Sequence, residues 1–409
     1  MHVLFLAPDT HLYNHAFLRA LRGLGARVSA IGPAPKDRLS RAAAALLDGY
    51  EGCAALLDVA ALLACAQRLA KAAPFDLIET IDEPLVEPAA ALRAALGAPG
   101  LDVETARRCR DKVAMKVFLR EHGVPCAQTD AATNAAELRE VAARIGFPVI
   151  VKPVAGFNAL GTYRLDDLAA LDALVEREPK LFGTGDRVAV EEFVEGHEGF
   201  YDTVIGPDGL VRHDFVGHYH PGCLEANRTR AVAPQIAITN RIDGDGYTEL
   251  RAMGQQVATA LGLRSCATHM EWFFGPRGLK FSEIGARPAG EKIWDMYRVG
   301  NDLDIYREWA LAVTERPSDA KPSRRLAVGS VQIRPNRDGK IVVHTGVTEA
   351  LRDVGSMVYE LELPRAGTAT KGLDRGWLCN TWFRLQHPDY DEVCRAMTLL
   401  GERVKTVAR

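Results

Sequence analysis

Residues 147–165 read FPVIVKPVAGFNALGTYRL, an apolar run that ends at Lys152 and Pro153 and opens into a loop carrying Gly156 and Gly161. β-Branched residues bounded by proline and glycine read as a strand followed by a turn. A lysine that ends a buried strand ordinarily runs its stem along apolar surface and leaves its ammonium in water. The glycines add a second reading, because they let backbone N–H groups close around an anion. The G-x-x-x-x-G-K-[ST] pattern of a Walker loop is absent. The stretch alone leaves a flexible turn and a phosphate site both open.

Upstream, strand-like and helix-like segments alternate: VLFLA, NHAFLRALRGLG closed by Gly25, RVSAIG, FDLIETI and EPAAALRAALG. This alternation predicts a doubly wound parallel sheet. The first strand runs into APDTHLYNHAF rather than G-x-G-x-x-G, which argues against a dinucleotide-binding dehydrogenase. Residues 102–123, DVETARRCRDKVAMKVFLREHG, read as one helix ended by Val124-Pro125, and NAAELREVAARIG reads as the next. Downstream, DRVAVEEFVEG reads as a strand, and GFYDTVIGPDGLVRHDFVGHYH and THMEWFFGPRGLKFSEI read as hairpins. A Pro- and charge-rich linker at 314–325 precedes short strands and a closing amphipathic helix, so a domain boundary is expected there.

With 409 residues the chain is long enough for several domains. A formal net charge of -3 gives no electrostatic reason to expect nucleic acid or an anionic membrane as partner. The eight cysteines show no C-x-x-C pair, so reduced thiols in a cytoplasm are expected. MHVLFLAPD is too short in its apolar part for a secretory leader, and no apolar run approaches the roughly eighteen residues of a membrane span.

Two further stretches carry chemistry. VEEFVEGHE, residues 190–198, reads either as an exposed acidic strand end or as an extended segment whose backbone could meet a purine edge, with Glu198 within reach of ribose hydroxyls. In the hairpin at 268–284, pairing Phe274 with Lys280 across a five-residue loop places Phe273 opposite Phe281 and Glu271 opposite Glu283. Opposed carboxylates destabilise a sheet unless a cation lies between them, and such oxygens suit Mg2+. A four-residue loop would instead send the two glutamates to opposite faces. Arg287 follows with a group able to hold phosphate or carboxylate in bidentate fashion.

In their order, RDKVAMK, FPVIVKP with its glycine loop, EEFVEGHE and HMEWF...FSEIGARPAG resemble the ATP-grasp superfamily of carboxylate–amine ligases. The resemblance covers roughly residues 1–310, and it implies an α/β chain in three parts. A Rossmann-like domain would occupy 1–101 and an α+β ATP-grasp core with mainly antiparallel sheets 102–313, its lid subdomain at about 125–190. A small α+β domain would occupy 314–409. By the same resemblance Lys112 and Lys152 would hold ATP phosphates, and the loop 155–161, with Gly156, Asn158 and Gly161, would close over them. Glu191 and Val194 would lie at the adenine, Glu198 at the ribose, Glu271 and Glu283 on Mg2+ (or Mn2+), and Arg287 at an acyl phosphate. Many relatives carry Asn two residues after the second glutamate, where this chain has Gly285.

The expected reaction converts a small-molecule carboxylate to an acyl phosphate and joins it to an amine, releasing ADP and phosphate; amino acids or small peptides are the expected partners. Residues 217–230, GHYHPGCLEANRTR, supply the acceptor-pocket candidates His218, His220, Arg228 and Arg230, against the alternative of a solvated connection. His269 is either a packed or a catalytic histidine. Two rival readings are a biotin-dependent-type carboxylase acting on bicarbonate, suggested by VAMKV, and a nucleotide-binding scaffold without turnover, suggested by Gly285. His11 and His15 are expected to cap the first helix or face solvent, and Trp272, Trp294 and Trp309 to be core aromatics. The closing helix packs on its own small sheet, with a homodimer contact as an alternative.

Overall fold

The computed structural model describes residues 1–11, 13–156, 160–183, 187–290, 292–373 and 378–409. Four parallel strands, β1 (His2–Leu6), β2 (Arg27–Gly32), β3 (Gly49–Gly52) and β4 (Leu77–Glu79), form an N-terminal sheet in the order β3-β2-β1-β4. Side chains alternate across a strand, so Val3, Phe5, Val28 and Ala30 meet Phe17, Leu18 and Leu21 of the helix Asn14–Gly23 on one face. Leu4, Leu6 and Ile31 meet Leu62 and Ala66 of Val59–Ala70 and Ala89 and Leu92 of Val86–Leu96 on the other. Both faces are covered, which is why these strands read as nearly unbroken apolar runs. His15 is buried and bonded to Asp9 at 2.7 Å, and Tyr13 occupies the N-cap, so neither His11 nor His15 caps this helix.

A second sheet pairs β5 (Thr129–Ala132), β6 (Val149–Pro153), β7 (Tyr163–Leu165) and β8 (Val188–Glu192) antiparallel in the order β5-β8-β6-β7. Val149, Val151, Val188 and Val190 pack under the helices Ala135–Ile145 and Leu168–Arg177. The alternate positions of the same strands, Ile150, Lys152 and Glu191, line a cavity instead.

The third sheet has eight antiparallel strands: β9 (His197–Ile205), β10 (Val211–His220), β11 (Gln235–Ile238), β12 (Cys266–Gly275), β13 (Gly278–Gly285), β14 (Ala327–Ile333), β16 (Val358–Glu362) and β17 (Thr381–His387). Their order is β13-β12-β9-β10-β11-β14-β17-β16, and β15 (Ile341–Thr345) pairs separately with β18 (Lys405–Ala408). The linker at 314–325 therefore does not divide the sheet: Ile236 of β11 pairs with Ser330 of β14. The helix Tyr390–Arg403 covers this end through Val393, Met397 and Leu400. Trp272, Trp294 and Trp309 are all buried, as core aromatics should be. No helix among the described residues is long and apolar enough to cross a membrane.

The expected single helix at 102–123 is two helices, Val103–Arg110 and Lys112–Glu121. Asp111 leaves the helical region (φ -85°, ψ 101°), and its carboxylate accepts the N–H groups of Val113 and Ala114, restarting the helix as an N-cap. Lys112 thereby becomes the first residue of a new helix, with its N–H donated to the Val154 carbonyl at 3.1 Å.

Gly199 of β9 is required by packing. A Cβ there would fall 2.4 Å from Trp272 Cζ2 and 2.7 Å from the Gly217 carbonyl oxygen. Backbone cannot swing aside as a side chain can, so Gly199→Ala is expected to destabilise the fold by about 1–3 kcal/mol, measured by denaturant unfolding. An unchanged midpoint would contradict this packing.

Candidate active site

A cavity of about 510 Å³ opens between the three sheets and is of the size that takes a small-molecule ligand. Its floor is a cluster of charges. Lys152 Nζ lies 3.0 Å from Glu191 Oε2 and 3.5 Å from Glu283 Oε2. Lys112 Nζ lies 3.3 Å from the same Glu283 oxygen and donates to the Gly156 carbonyl at 2.6 Å. Lys116, one helical turn past Lys112 and 0% exposed, donates to Glu191 Oε1 at 2.5 Å. Burial opposes charge on Lys152, but Glu191 and Glu283 outweigh it and raise its pKa. Burial dominates at Lys116, which is pushed down to about 8 with help from Lys152. Glu283 is drawn down to about 2 because Lys112, Lys152 and Lys116 overcome its burial.

The hairpin that carries Glu271 and Glu283 differs in register from the expected one. Gly275 pairs with Gly278 around a two-residue turn, so Phe274 meets Leu279 and Trp272 meets Phe281. Carried to the strand ends, that register would set Glu271 against Ser282 and turn Glu283 away. A β-bulge between Glu271 and Trp272 shifts the pairing by one, and Glu271 ends opposite Glu283 after all. The bulge lets Phe281 stay in the core with Trp272 while Glu283 faces the cavity.

Glu271 is raised by burial and by Glu283 beside it. Its neighbours within reach are the Tyr219 hydroxyl at 3.5 Å and His269 Nε2 at 3.8 Å. Two opposed, half-buried carboxylates, one held ionised by lysines, form a hard-oxygen donor set that fits a divalent cation. Oxygens of Glu198 and Glu271 and the Cys223 sulfur also lie within 4.8 Å of one another. Glu198 accepts the Cys223 N–H at 2.7 Å and is pushed up to about 8 by burial and Glu271, so its carboxylate stands nearer the acidic pair than a ribose contact alone implies.

His269 lines the cavity but is tethered: its Nδ1 lies 2.6 Å from Asp202 Oδ1, and Tyr297 donates to the other Asp202 oxygen at 2.5 Å. Burial works against protonation of His269, and Asp202 overrides it, raising the pKa. Arg287 Nε donates to Glu83 Oε2 at 2.6 Å, and Arg110 Nη1 to Glu83 Oε1 at 2.7 Å. Arg110 also reaches the Ala155 carbonyl at 2.8 Å, so the glycine loop starts from a fixed point. Sequence reasoning missed Glu83, Arg110, Lys116, Asp202 and Tyr219. The only local signal for any of them was the spacing of Lys116 from Lys112, one helical turn.

The other candidates divide by position. Gly156 and Val194 line the cavity, Gly161 is not among its lining residues, and Asn158 lies outside the described residues. Glu191 gives its carboxylate to two lysines rather than presenting it to a base edge. His218, His220, Arg228 and Arg230 do not line the cavity. Strand alternation is the reason: Tyr219 of β10 faces Glu271, which turns His218 to the other face, between His197 and Tyr247 at 2.9 Å each. The His220 ring lies with His197 on that same side, Arg230 pairs with Asp338 at 2.6 Å, and Arg228 is exposed. VAMKV lies inside the helix Lys112–Glu121 with Lys116 buried, which removes it as a biotin-attachment site.

Residues 111–288 match the family described as carbamoyl-phosphate synthase L chain, ATP binding domain. The chain is 24% identical over 309 residues to the L-arginine-specific L-amino acid ligase of Bacillus subtilis, covering 74% of this chain and 73% of that protein. It is 26% identical over 244 residues to an alanine–anticapsin ligase of Bacillus subtilis, covering 54% of this chain. Against several of these curated relatives the chain spans about half of their length, 49% for the anticapsin ligase. The crystal structure of an L-amino acid ligase from Bacillus licheniformis superposes with a TM-score of 0.77 at 17% identity, covering 100% of this chain and 98% of that one. Over residues 111–288, less than half of its length, the chain is thus similar to an ATP-binding domain, in keeping with the ATP-grasp resemblance of its motifs.

The floor makes a stability prediction. Glu191→Gln leaves two buried ammonium groups with one counter-charge fewer and is expected to cost about 3–5 kcal/mol. Lys116→Met leaves Glu191 paired with Lys152 and removes an ammonium whose charge burial already disfavours, so it is expected to cost clearly less than Glu191→Gln. Calorimetric melting of the two variants checks the order, and equal losses would refute this account of the floor.

Proposed function

We propose that the protein is an ADP-forming carboxylate–amine ligase that activates a small carboxylate as an acyl phosphate and joins it to an amine, with amino acids as the substrate class. The observation that carries the reading is the convergence of Lys112, Lys152, Glu271, Glu283 and Arg287 on one cavity. The relatives that act on amino acids, by the names they carry, support the choice of substrate.

A carboxylate is a poor electrophile, and phosphorylation gives it a leaving group. In this reading Lys112 and Lys152 leave Glu283 to grip the phosphate tail, where positioning and charge compensation supply most of the catalysis. Glu271 and Glu283 would hold Mg2+, which offsets phosphate charge and orients the transferring group. Arg287 holds the acyl phosphate and the tetrahedral species that the amine forms from it. The segment 192–194 borders the adenine and Glu198 the sugar. Residues of about 125–190 act as a lid, closing the glycine loop over the site to keep water from the acyl phosphate. Eight cysteines without a disulfide suit a reducing cytoplasm as the place of action.

Incubation with Mg-ATP and pools of amino acids tests the reading by phosphate release. Stimulation by a carboxylate together with an amine is expected. Stimulation by bicarbonate alone would favour carboxylation, and nucleotide binding without stimulated release would favour a scaffold. Glu283→Gln and Lys152→Met are each expected to lower kcat on the order of 100-fold or more while retaining the fold by circular dichroism. Near-full turnover in either variant removes that residue from the site.

A further inference from the structure

Gly285 stands two residues before Arg287 at the end of β13, and the structure shows what excludes a side chain there. A Cβ at this position would fall 2.7 Å from Glu83 Oε2 and 3.6 Å from Arg287 Nε. A carboxylate tip normally swings aside cheaply, but this one cannot. Both oxygens of Glu83 are engaged, one by Arg110 and one by Arg287, and the side chain is only 12% exposed. Burial raises the Glu83 pKa, yet Arg287 and Arg110 more than cancel that and hold the carboxyl below its usual range. Moving it would strand buried charge.

Glu83 comes from the short helical turn Glu83–Leu85 that follows β4, so the N-terminal sheet delivers it across the cavity to β13. The Arg287 guanidinium has a second anchor, the Pro288 carbonyl at 2.9 Å from Nη1. With Nε and Nη1 occupied, the rotation of the guanidinium plane is set.

We propose that Glu83 is a positioning residue for Arg287, and that Gly285 is the opening in β13 that admits it. The inference rests on the ligase reading, in which Arg287 holds the acyl phosphate. It goes further in making the arginine's readiness depend on how the N-terminal sheet seats against the hairpin. A side chain at 285 and a carboxylate at 83 are mutually exclusive.

A double-mutant cycle tests this, reading kcat, the KM for ATP and melting temperature for Gly285→Ala, Glu83→Ala and the pair. Each single variant is expected to lower kcat on the order of 10–100-fold, with the KM for ATP nearly unchanged, as displacement of a reacting group by about an ångström does. Adding Gly285→Ala to Glu83→Ala is expected to cost less than about twofold more, because the collision is already gone. Unfolding of Gly285→Ala that Glu83→Ala relieves would support the same collision. Glu83→Gln keeps the side-chain volume and provides the folded control: its kcat is expected to fall at unchanged KM for ATP. Additive losses in the cycle, or wild-type kcat in Glu83→Gln, overturn the proposal while leaving the ligase reading standing. Failure of the parent protein to release phosphate with any carboxylate and amine sinks that reading, and the inference with it.

Discussion

Three ammonium groups share two carboxylates at the floor of the cavity, and the rest of the site depends on how that charge is balanced. Lys112, Lys116 and Lys152 would repel one another if left alone in a buried space. Glu191, between Lys116 and Lys152, and Glu283, between Lys112 and Lys152, hold them together. The compensation is uneven: Lys152 is held charged from two sides, whereas burial wins at Lys116. The cluster is one positive charge richer than it is negative, counting these five groups alone. An arriving polyphosphate would find cations already desolvated and fixed, so little reorganisation has to accompany its binding.

These five groups come from four elements, Lys112 and Lys116 sharing one helix, and no single helix or strand could place them all. Lys152 and Glu191 are diagonal neighbours on β6 and β8, set by the register that pairs Ile150 with Glu191. Lys112 depends on the Asp111 cap that breaks what would otherwise be one long helix. Glu283 depends on the bulge in the hairpin. Register, cap and bulge are cheap backbone devices, and each aims a charge.

Much of this was legible in the sequence, for reasons that also explain the failures. The N-terminal sheet was readable because strands covered on both faces are apolar at most positions, as in Val3–Leu6 of β1 and, with Ser29 as the interruption, Val28–Gly32 of β2. The lysine-and-glycine loop and the two hairpins were readable from turn residues and alternation. The Glu271–Glu283 pairing was anticipated through the wrong turn: an intervening bulge cancels a one-residue error in register, and nothing in FSE announces a bulge. His218 and His220 were misplaced by parity, because Tyr219 between them owns the cavity side of β10. Glu83 could not have been found locally, since its partners stand 27 and 204 residues away in the chain. The linker at 314–325 was read from composition, which records flexibility in the unfolded chain but not whether strands on either side will join.

That last feature bears on how the chain can be handled. Since β14 zips onto β11, cutting the polypeptide before residue 327 would strip β11 of its outer partner and leave a row of open amide and carbonyl groups beside the apolar side chains of Ile236 and Ile238. Such a fragment would offer a ready template for sticking to its own kind. The segment after the linker therefore serves the half that holds the cavity as a stopper for its sheet, whatever else it contributes.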